Sequence, residues 1–264
     1  MAKIENDKYY TSIQLARYCI DKTYEIIGYD NISEVIEPSA GSGNFSLQIP
    51  TVCWAYDIEP EHESIIKADF LEQDIKYLDG RLIIGNPPYG SRLSLAQKFF
   101  KKSIHIADYI AFILPISQFN NINSLFEFDL IYSEDLGLQT YSDRELHCCF
   151  NIYQRPESGN LNKRPINKLK DITIIRQDSK GYEEKEFDIR MCYWGDGSAG
   201  KILKDDESYS GEYKIQIHNE KLKDTIIDVI TNYDWKKYID RIAMRRIKQY
   251  HIINVLKEQI PEIE

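Results

Sequence analysis

Four short apolar runs in this chain each end in residues suited to contact rather than packing. Ser33-Glu-Val-Ile-Glu37 runs into Pro-Ser-Ala-Gly-Ser-Gly-Asn-Phe45, and Val52-Cys-Trp-Ala-Tyr56 runs into Asp57. Ile65 to Ala68 is followed by Asp69-Phe70, and Arg81-Leu-Ile-Ile-Gly85 by Asn86-Pro-Pro-Tyr-Gly90. Apolar runs this short, interspersed with helical periodicity, predict buried parallel strands. Tyr109 to Leu114 predicts a fifth strand, and His147 to Tyr153 another that suits a terminal hairpin. The fold class implied is α/β, a doubly wound Rossmann-like sheet. Ligands of such sheets bind at the carboxyl ends of the strands. The glycine loop, Asp57, Asp69 and Asn86 all fall there, and packing alone does not account for four such placements.

The remaining texture divides the chain. Thr11 to Ile27 has apolar residues at helical spacing, with Thr11 or Ser12 able to cap its start. Ser94 to Ile106 is also helical by period. After Gln154 the chain becomes rich in Pro, Asn, Lys and Gly up to Lys170, which predicts an exposed loop. Beyond it, Asp171 to Arg176 and Glu186 to Trp194 predict strands, and Lys221 to Ile230 and Trp235 to Glu258 predict helices. A boundary near 155 gives a catalytic domain over 1–155 and a small C-terminal α+β region over 156–264.

Composition narrows the class. At 264 residues and 42% hydrophobic the chain supports one full α/β core and a small appended unit. The net charge of −9 does not advertise nucleic-acid binding, so such a surface has to be a local basic patch. The five cysteines are odd in number and form no Cys-x-x-Cys, which argues against a disulfide framework or zinc cluster; no metal is expected. The N-terminal residues hold no apolar signal core, and the longest apolar run, Tyr109 to Ile116, is too short to span a bilayer. A reducing, cytoplasmic location with no membrane contact is expected.

The loop chemistry is selective. Gly41-Ser-Gly43 does not extend to the dinucleotide pattern, because Ser46 stands at the third glycine position, and no Gly-Lys-Ser follows. A pyrophosphate is therefore not its natural ligand. Asp57 suits a ribose diol, Asp69 an adenine amino group, and Phe70 an adenine face. Ribose, adenine and a tail without phosphate describe S-adenosylmethionine.

With these motifs in place, residues 9 to 153 resemble the amino-methyltransferases that act on adenine in DNA. The likeness rests on Tyr10-Thr11, Glu37-Pro-Ser-Ala-Gly-Ser-Gly-Asn-Phe45, Asp57-Ile-Glu-Pro60, Asp69-Phe70 and Asn86-Pro-Pro-Tyr89, in an order similar to the gamma arrangement. The resemblance implies a class I methyltransferase sheet with target recognition toward the C-terminus. It implies a cofactor site of Tyr10, Thr11, Glu37, Ser39, Ala40, Gly41, Gly43, Asp57, Ile58, Asp69, Phe70 and Asn86. It also implies a prokaryotic or phage modification enzyme, with a specificity or endonuclease partner in a restriction-modification setting. About 110 residues follow 155, short for a recognition domain of this family.

The expected chemistry follows from the nitrogen. An adenine amino group is a poor nucleophile because its lone pair is delocalised into the ring. The Asn86 side-chain oxygen and the Pro87 carbonyl, with Pro88 stiffening the turn, accept its two hydrogens and aim the lone pair at the methyl donor. Tyr89 stacks on the target base, which must be flipped out of the duplex, and Phe150 is a candidate for its opposite face. The same residues admit plainer roles. Asp57 and Asp69 suit helix caps, Phe70 and Phe150 a core, Asn86 to Tyr89 a rigid turn, and His147-Cys148-Cys149 an ordinary strand.

Lys236, Lys237, Arg241, Arg245, Arg246 and Lys248 form a segregated positive stretch. Either they track phosphates, with Trp235, Tyr238 or Tyr250 alongside, or they make the solvated face of an amphipathic helix. Lys163, Arg164, Lys168 and Lys170 are a second such candidate. The other readings of the chain are an adenine methyltransferase of RNA, a protein glutamine methyltransferase, and a non-catalytic nucleic-acid-binding subunit.

Overall fold

The computed structural model describes residues 11–141, 144–165, 167–195, 197–236 and 246–264. The chain divides into two compact units, 1–165 and 166–264. The division falls about ten residues beyond the change in composition. Arg155 explains part of this, since its Nε donates to Asp108 Oδ1 at 2.8 Å. The Asn162 amide, on the Glu127 carbonyl at 2.9 Å, holds the following loop to the same unit.

The first unit is a mixed α/β fold around a seven-stranded sheet. Its strands are β1 (Glu34–Glu37), β2 (Cys53–Asp57), β3 (Ile66–Lys67), β4 (Arg81–Gly85), β5 (Tyr109–Pro115), β6 (Asp129–Tyr141) and β7 (Arg144–Gln154), in the spatial order β3-β2-β1-β4-β5-β7-β6. The first five run parallel, and β7 enters antiparallel between β5 and β6. This is the expected Rossmann-like class. The chain works outward from β1 to β3 and then returns to lay β4 against the other side of β1. That reversal opens a crevice at the carboxyl ends of β1 and β4.

Strand alternation builds two cores. Val35, Leu82, Ile84, Ala111, Ile113, Cys148, Phe150 and Ile152 face one way, against Ala16, Cys19, Ile20 and Ile27 of α1 (Ile13–Ile27). Ile36, Ile83, Ile110, Phe112, Leu114 and Tyr153 face the other, against Ala96, Phe99 and Phe100 of α2 (Ser94–Ser103). Each buried face follows a spacing of three and four residues, which puts the apolar side chains of a helix in one stripe. Ser12 caps α1 by accepting from the Leu15 amide at 3.2 Å. Phe100 meets Tyr153 edge-on at 5.0 Å, and full burial of such a ring contributes about 1.5–3 kcal/mol. Strand β6, rich in polar residues, carries two register shifts against β7 and has no clean alternation to betray it.

The second unit holds a three-stranded antiparallel sheet, β8 (Ile172–Arg176), β9 (Ile189–Cys192) and β10 (Glu212–Ile217), with β10 in the centre. Helices α3 (Lys223–Asn232) and α4 (Gln249–Gln259) contribute Ile226, Ile230, Ile252, Ile253 and Leu256 to one core with Met191, Tyr213 and Ile215.

The single helix expected over Trp235 to Glu258 is corrected here. Arg246 is extended and pairs with Trp194 across an antiparallel bridge, and the Ile247 amide donates to the Tyr193 carbonyl at 2.9 Å. Lys248 is also extended, at φ −89° and ψ 158°, and helix α4 starts only after it. Pairing with the Tyr193–Trp194 edge wins over helix continuation. Among the described residues, no helix is long and apolar enough to cross a membrane.

Candidate active site

Strand β1 ends in Glu37, and the chain then turns through the glycine loop. Gly41 at φ +54° and Gly43 at φ +82° adopt left-handed backbone that other residues resist. A Cβ on Gly43 would meet Leu47 Cγ at 3.1 Å, so the loop is also packed closely. The Ala40 amide donates to the Tyr56 carbonyl at 2.9 Å, which ties the loop to β2.

Asp57 completes that tie. Its Oδ2 accepts from the Gly41 amide at 2.7 Å and its Oδ1 from the Glu59 amide at 2.8 Å. The carboxylate thus holds the glycine loop open at the end of β2. Each oxygen keeps a second lone pair, which is what a diol would use. Ile58 beside it is 51% exposed.

Glu37 is 2% exposed, and its Oε2 accepts from the Ser46 amide at 2.8 Å. Burial pushes its carboxyl up to about 7, partly opposed by the Ser46 and Phe45 hydrogen bonds and assisted by the nearby Asp57 charge. A buried carboxyl raised toward neutrality at a strand end makes Glu37 a functional-site candidate.

The Asn86 turn follows β4. Asn86 Nδ2 donates to Thr11 Oγ1 at 3.1 Å, and Ser39 Oγ donates to the Asn86 carbonyl at 3.4 Å. Asn44 Nδ2 donates to the Thr11 carbonyl at 2.7 Å, so Thr11 is gripped from both sides. The structure thereby brings Thr11, Glu37, Ser39, Ala40 and Asn86 around one pocket, joined by Ser42, Asn44 and Phe45. Those last three were not singled out as site residues from sequence. Their only signal was membership of the glycine-loop motif.

The remaining expected residues take other places. Pro87 is buried and Pro88 half-buried in the turn. Tyr89 is 7% exposed and sits in the α2-side core, its hydroxyl 3.6 Å from Cys148 Sγ. Just beyond, Arg92 and Leu93 hold φ of +53° and +69°, strained values for side-chain-bearing residues. Asp69 caps a short 3-10 turn by accepting from the Leu71 amide at 2.8 Å. Phe70 is 1% exposed and stacks on Phe99 at 5.7 Å, so it belongs to the core.

Two expectations fail on burial. Phe150 is fully buried on the α1 side of the sheet and presents no face to a base. Trp235 is 4% exposed, with Nε1 donating to the Ile230 carbonyl at 2.9 Å, so it does not flank a phosphate path. Tyr10, Lys237, Tyr238, Arg241 and Arg245 lie outside the described residues. Of the remaining basic residues, Lys236 is exposed, while Arg246 and Lys248 lie on the extended segment before α4.

The pocket lining carries one carboxylate and no Lys or Arg. Such a lining repels phosphate and favours a cationic or neutral polar ligand.

No model of a known family matches the chain, and no curated protein matches it. Among solved structures it is similar to a Pyrococcus horikoshii protein named as a candidate RNA methyltransferase, at 15% identity over 59% of this chain and 90% of that chain, with TM-score 0.43. It is similar to a Thermoplasma acidophilum protein at 16% identity over 59% and 93% of the two chains, TM-score 0.45. A third likeness is to a candidate class I S-adenosylmethionine-dependent methyltransferase from Listeria monocytogenes, at 13% identity over 59% and 63%, TM-score 0.43. At these identities and scores the likenesses carry no conclusion about chemistry.

Proposed function

We propose that this chain is an S-adenosylmethionine-dependent methyltransferase acting on the exocyclic amino group of adenine in DNA. The observation that carries the reading is the meeting of Asn86 with the glycine loop. The Asn-Pro-Pro-Tyr turn leaves β4 beside Ser39 and Thr11, at the point where the strand order reverses.

The site fits the cofactor. A lining with Glu37 and without basic groups suits a ligand that carries a sulfonium and an ammonium. Thr11, Glu37, Ser39, Gly41 and Gly43 would hold its methionyl part, Asp57 its ribose and Asp69 its adenine. When bound, the cofactor supplies an activated methyl group.

The chain supplies the rest. Thr11 takes the nitrogen end of the Asn86 amide, and the oxygen end would accept from one substrate N–H. The Pro87 carbonyl accepts from the other. Both acceptors sit on a turn whose prolines restrict rotation, so little reorganisation accompanies reaction. Drawing both hydrogens aside releases the nitrogen lone pair from the ring. Positioning then does most of the work, since the methyl donor needs no further activation. For Tyr89 to stack on an extruded base it would have to leave the α2-side core, where it is 7% exposed.

A side-chain amide of protein glutamine, or adenine in RNA, poses the same nitrogen problem to the same turn. Calorimetric titration with S-adenosylmethionine and with its demethylated product tests the cofactor half of the reading. One site per chain for each is expected, and absence of binding contradicts it.

A further inference from the structure

The second unit presents an exposed tryptophan on a rigid mount. Trp194 follows β9 and is 51% exposed. Its main chain is nonetheless fixed. Its carbonyl accepts from Ser198 Oγ at 2.9 Å and Cys192 Sγ at 3.1 Å, and the residue pairs with Arg246. Gly211 packs beneath it so closely that a Cβ there would lie 2.9 Å from Trp194 Cβ. The indole is thus held half in solvent.

Its bridge partner Arg246 is cationic, and other basic residues lie on adjacent elements. The Arg246 guanidinium lies 5.3 Å from the Tyr193 ring centroid, and its buried Nε has no hydrogen-bond partner among the described residues. The Tyr193 ring is 4.4 Å from that of Tyr213, and Tyr213 pairs in register with Arg176 across β8 and β10. Asp178 ion-pairs with Arg176 and opposes part of this charge. Lys248 follows two residues after Arg246, with its Nζ 5.5 Å from the Tyr250 ring. Residues 166–264 contain eighteen Lys and Arg against nineteen Asp and Glu, so nearly all of the net charge of −9 lies in the first unit. The other half-exposed tryptophan, Trp54, makes a contrast. It donates Nε1 to Glu34 at 3.0 Å, and a carboxylate there repels a phosphate.

We propose that Trp194 is a stacking platform for an unpaired base of a nucleic-acid strand, with Arg246 on the adjacent phosphate. Every base offers a π face, and a rigid indole loses little entropy on stacking. The guanidinium of Arg246, the residue bridged to Trp194, suits a phosphate oxygen. This inference rests on the reading of nucleic acid as substrate and adds to it a contact in the second unit.

The test uses the full chain and a short labelled oligothymidylate, with fluorescence anisotropy at low salt. W194A weakens binding about tenfold or more, while W194F retains most of it. R246Q weakens binding and lowers the slope of log affinity against log salt by about one. The melting temperature and cofactor affinity of W194F and R246Q stay at wild-type values. If the wild type binds the strand and W194A and R246Q bind it equally well, the inference is overturned and the substrate reading stands. If the wild type binds no strand, the inference is overturned; if in addition it transfers labelled methyl from S-adenosylmethionine to protein alone, the substrate reading falls with it.

Discussion

Asn86 Nδ2 donates to Thr11 Oγ1 over 3.1 Å, joining the turn after β4 to the segment before α1 across 75 positions of sequence. The bond sets which end of the amide faces which neighbour. An acceptor that must catch a substrate hydrogen is useful only if it is held in this way.

Asn86→Ala removes that acceptor. Turnover falls about 10²–10³-fold, in the range seen when one preorganised polar group is lost. Cofactor affinity by calorimetry changes little. Equal loss of both would reduce the turn to a structural element. Thr11→Val, which leaves the amide present but unanchored, lowers turnover by a smaller factor.

Asp57→Ala weakens cofactor binding by roughly tenfold or more, since a charge-assisted hydrogen bond contributes about 1.5–3 kcal/mol. Asp57→Asn recovers part of the loss, because its amide oxygen still accepts from the Gly41 amide. Unaltered affinity in Asp57→Ala would remove the residue from the site.

Glu37 gives the site a pH dependence. Its carboxyl, ordinarily near 4.5, is raised to about 7 by burial. The folded state therefore binds the proton more tightly than the unfolded chain. The associated stability is fully present below pH 4.5 and is lost as pH rises through 7. Glu37→Gln flattens that decline, seen as a smaller drop in melting temperature between pH 5 and 8. Ionised Glu37 favours a cationic ligand, so cofactor affinity of the wild type rises with pH across the same window. A wild type and a Gln variant with identical profiles would contradict this.

Much of the site was legible in sequence because strand ends are legible. Each of β1, β2 and β4 is a short apolar run that stops at a polar or glycine residue, and the crevice is where those stops meet. Phe70 and Phe150 were not separable this way. A phenylalanine beside a motif has the same identity whether it faces a ligand or a core, and only the register of β7 against β5 and the stack on Phe99 decide it. The break before α4 was hidden because helical periodicity through Ile247 and Ile253 persists in the sequence. The competing partner, the Tyr193–Trp194 edge, lies some fifty residues away. Strand β6 was missed for want of alternation, its pairing being carried by β7.

Tyr89 separates packing from stacking. Tyr89→Ala creates a cavity in the α2-side core and costs about 3–5 kcal/mol of stability as well as turnover. Tyr89→Phe keeps the ring and loses only the hydroxyl near Cys148, so stability and turnover stay close to wild type. A large turnover loss in Tyr89→Phe would show that the hydroxyl, not the ring face, matters.

Gly90 tests the turn itself. It holds φ +67°, and a Cβ would come within 2.9 Å of Leu95 Cβ. Gly90→Ala costs on the order of 1–3 kcal/mol and lowers turnover more than cofactor affinity. Wild-type stability in that variant would contradict the geometry of the segment.

The reaction proposed is transfer of a methyl group to an adenine amino nitrogen. Incubating the chain with isotopically labelled S-adenosylmethionine and a mixture of duplex DNA, RNA and protein, then digesting each pool, measures it directly. Label is expected in the DNA pool, recovered as N6-methyldeoxyadenosine and reduced about 10²–10³-fold with Asn86→Ala. Label recovered only as methylglutamine in protein, or no transfer to any pool by a cofactor-bound wild type, would contradict it.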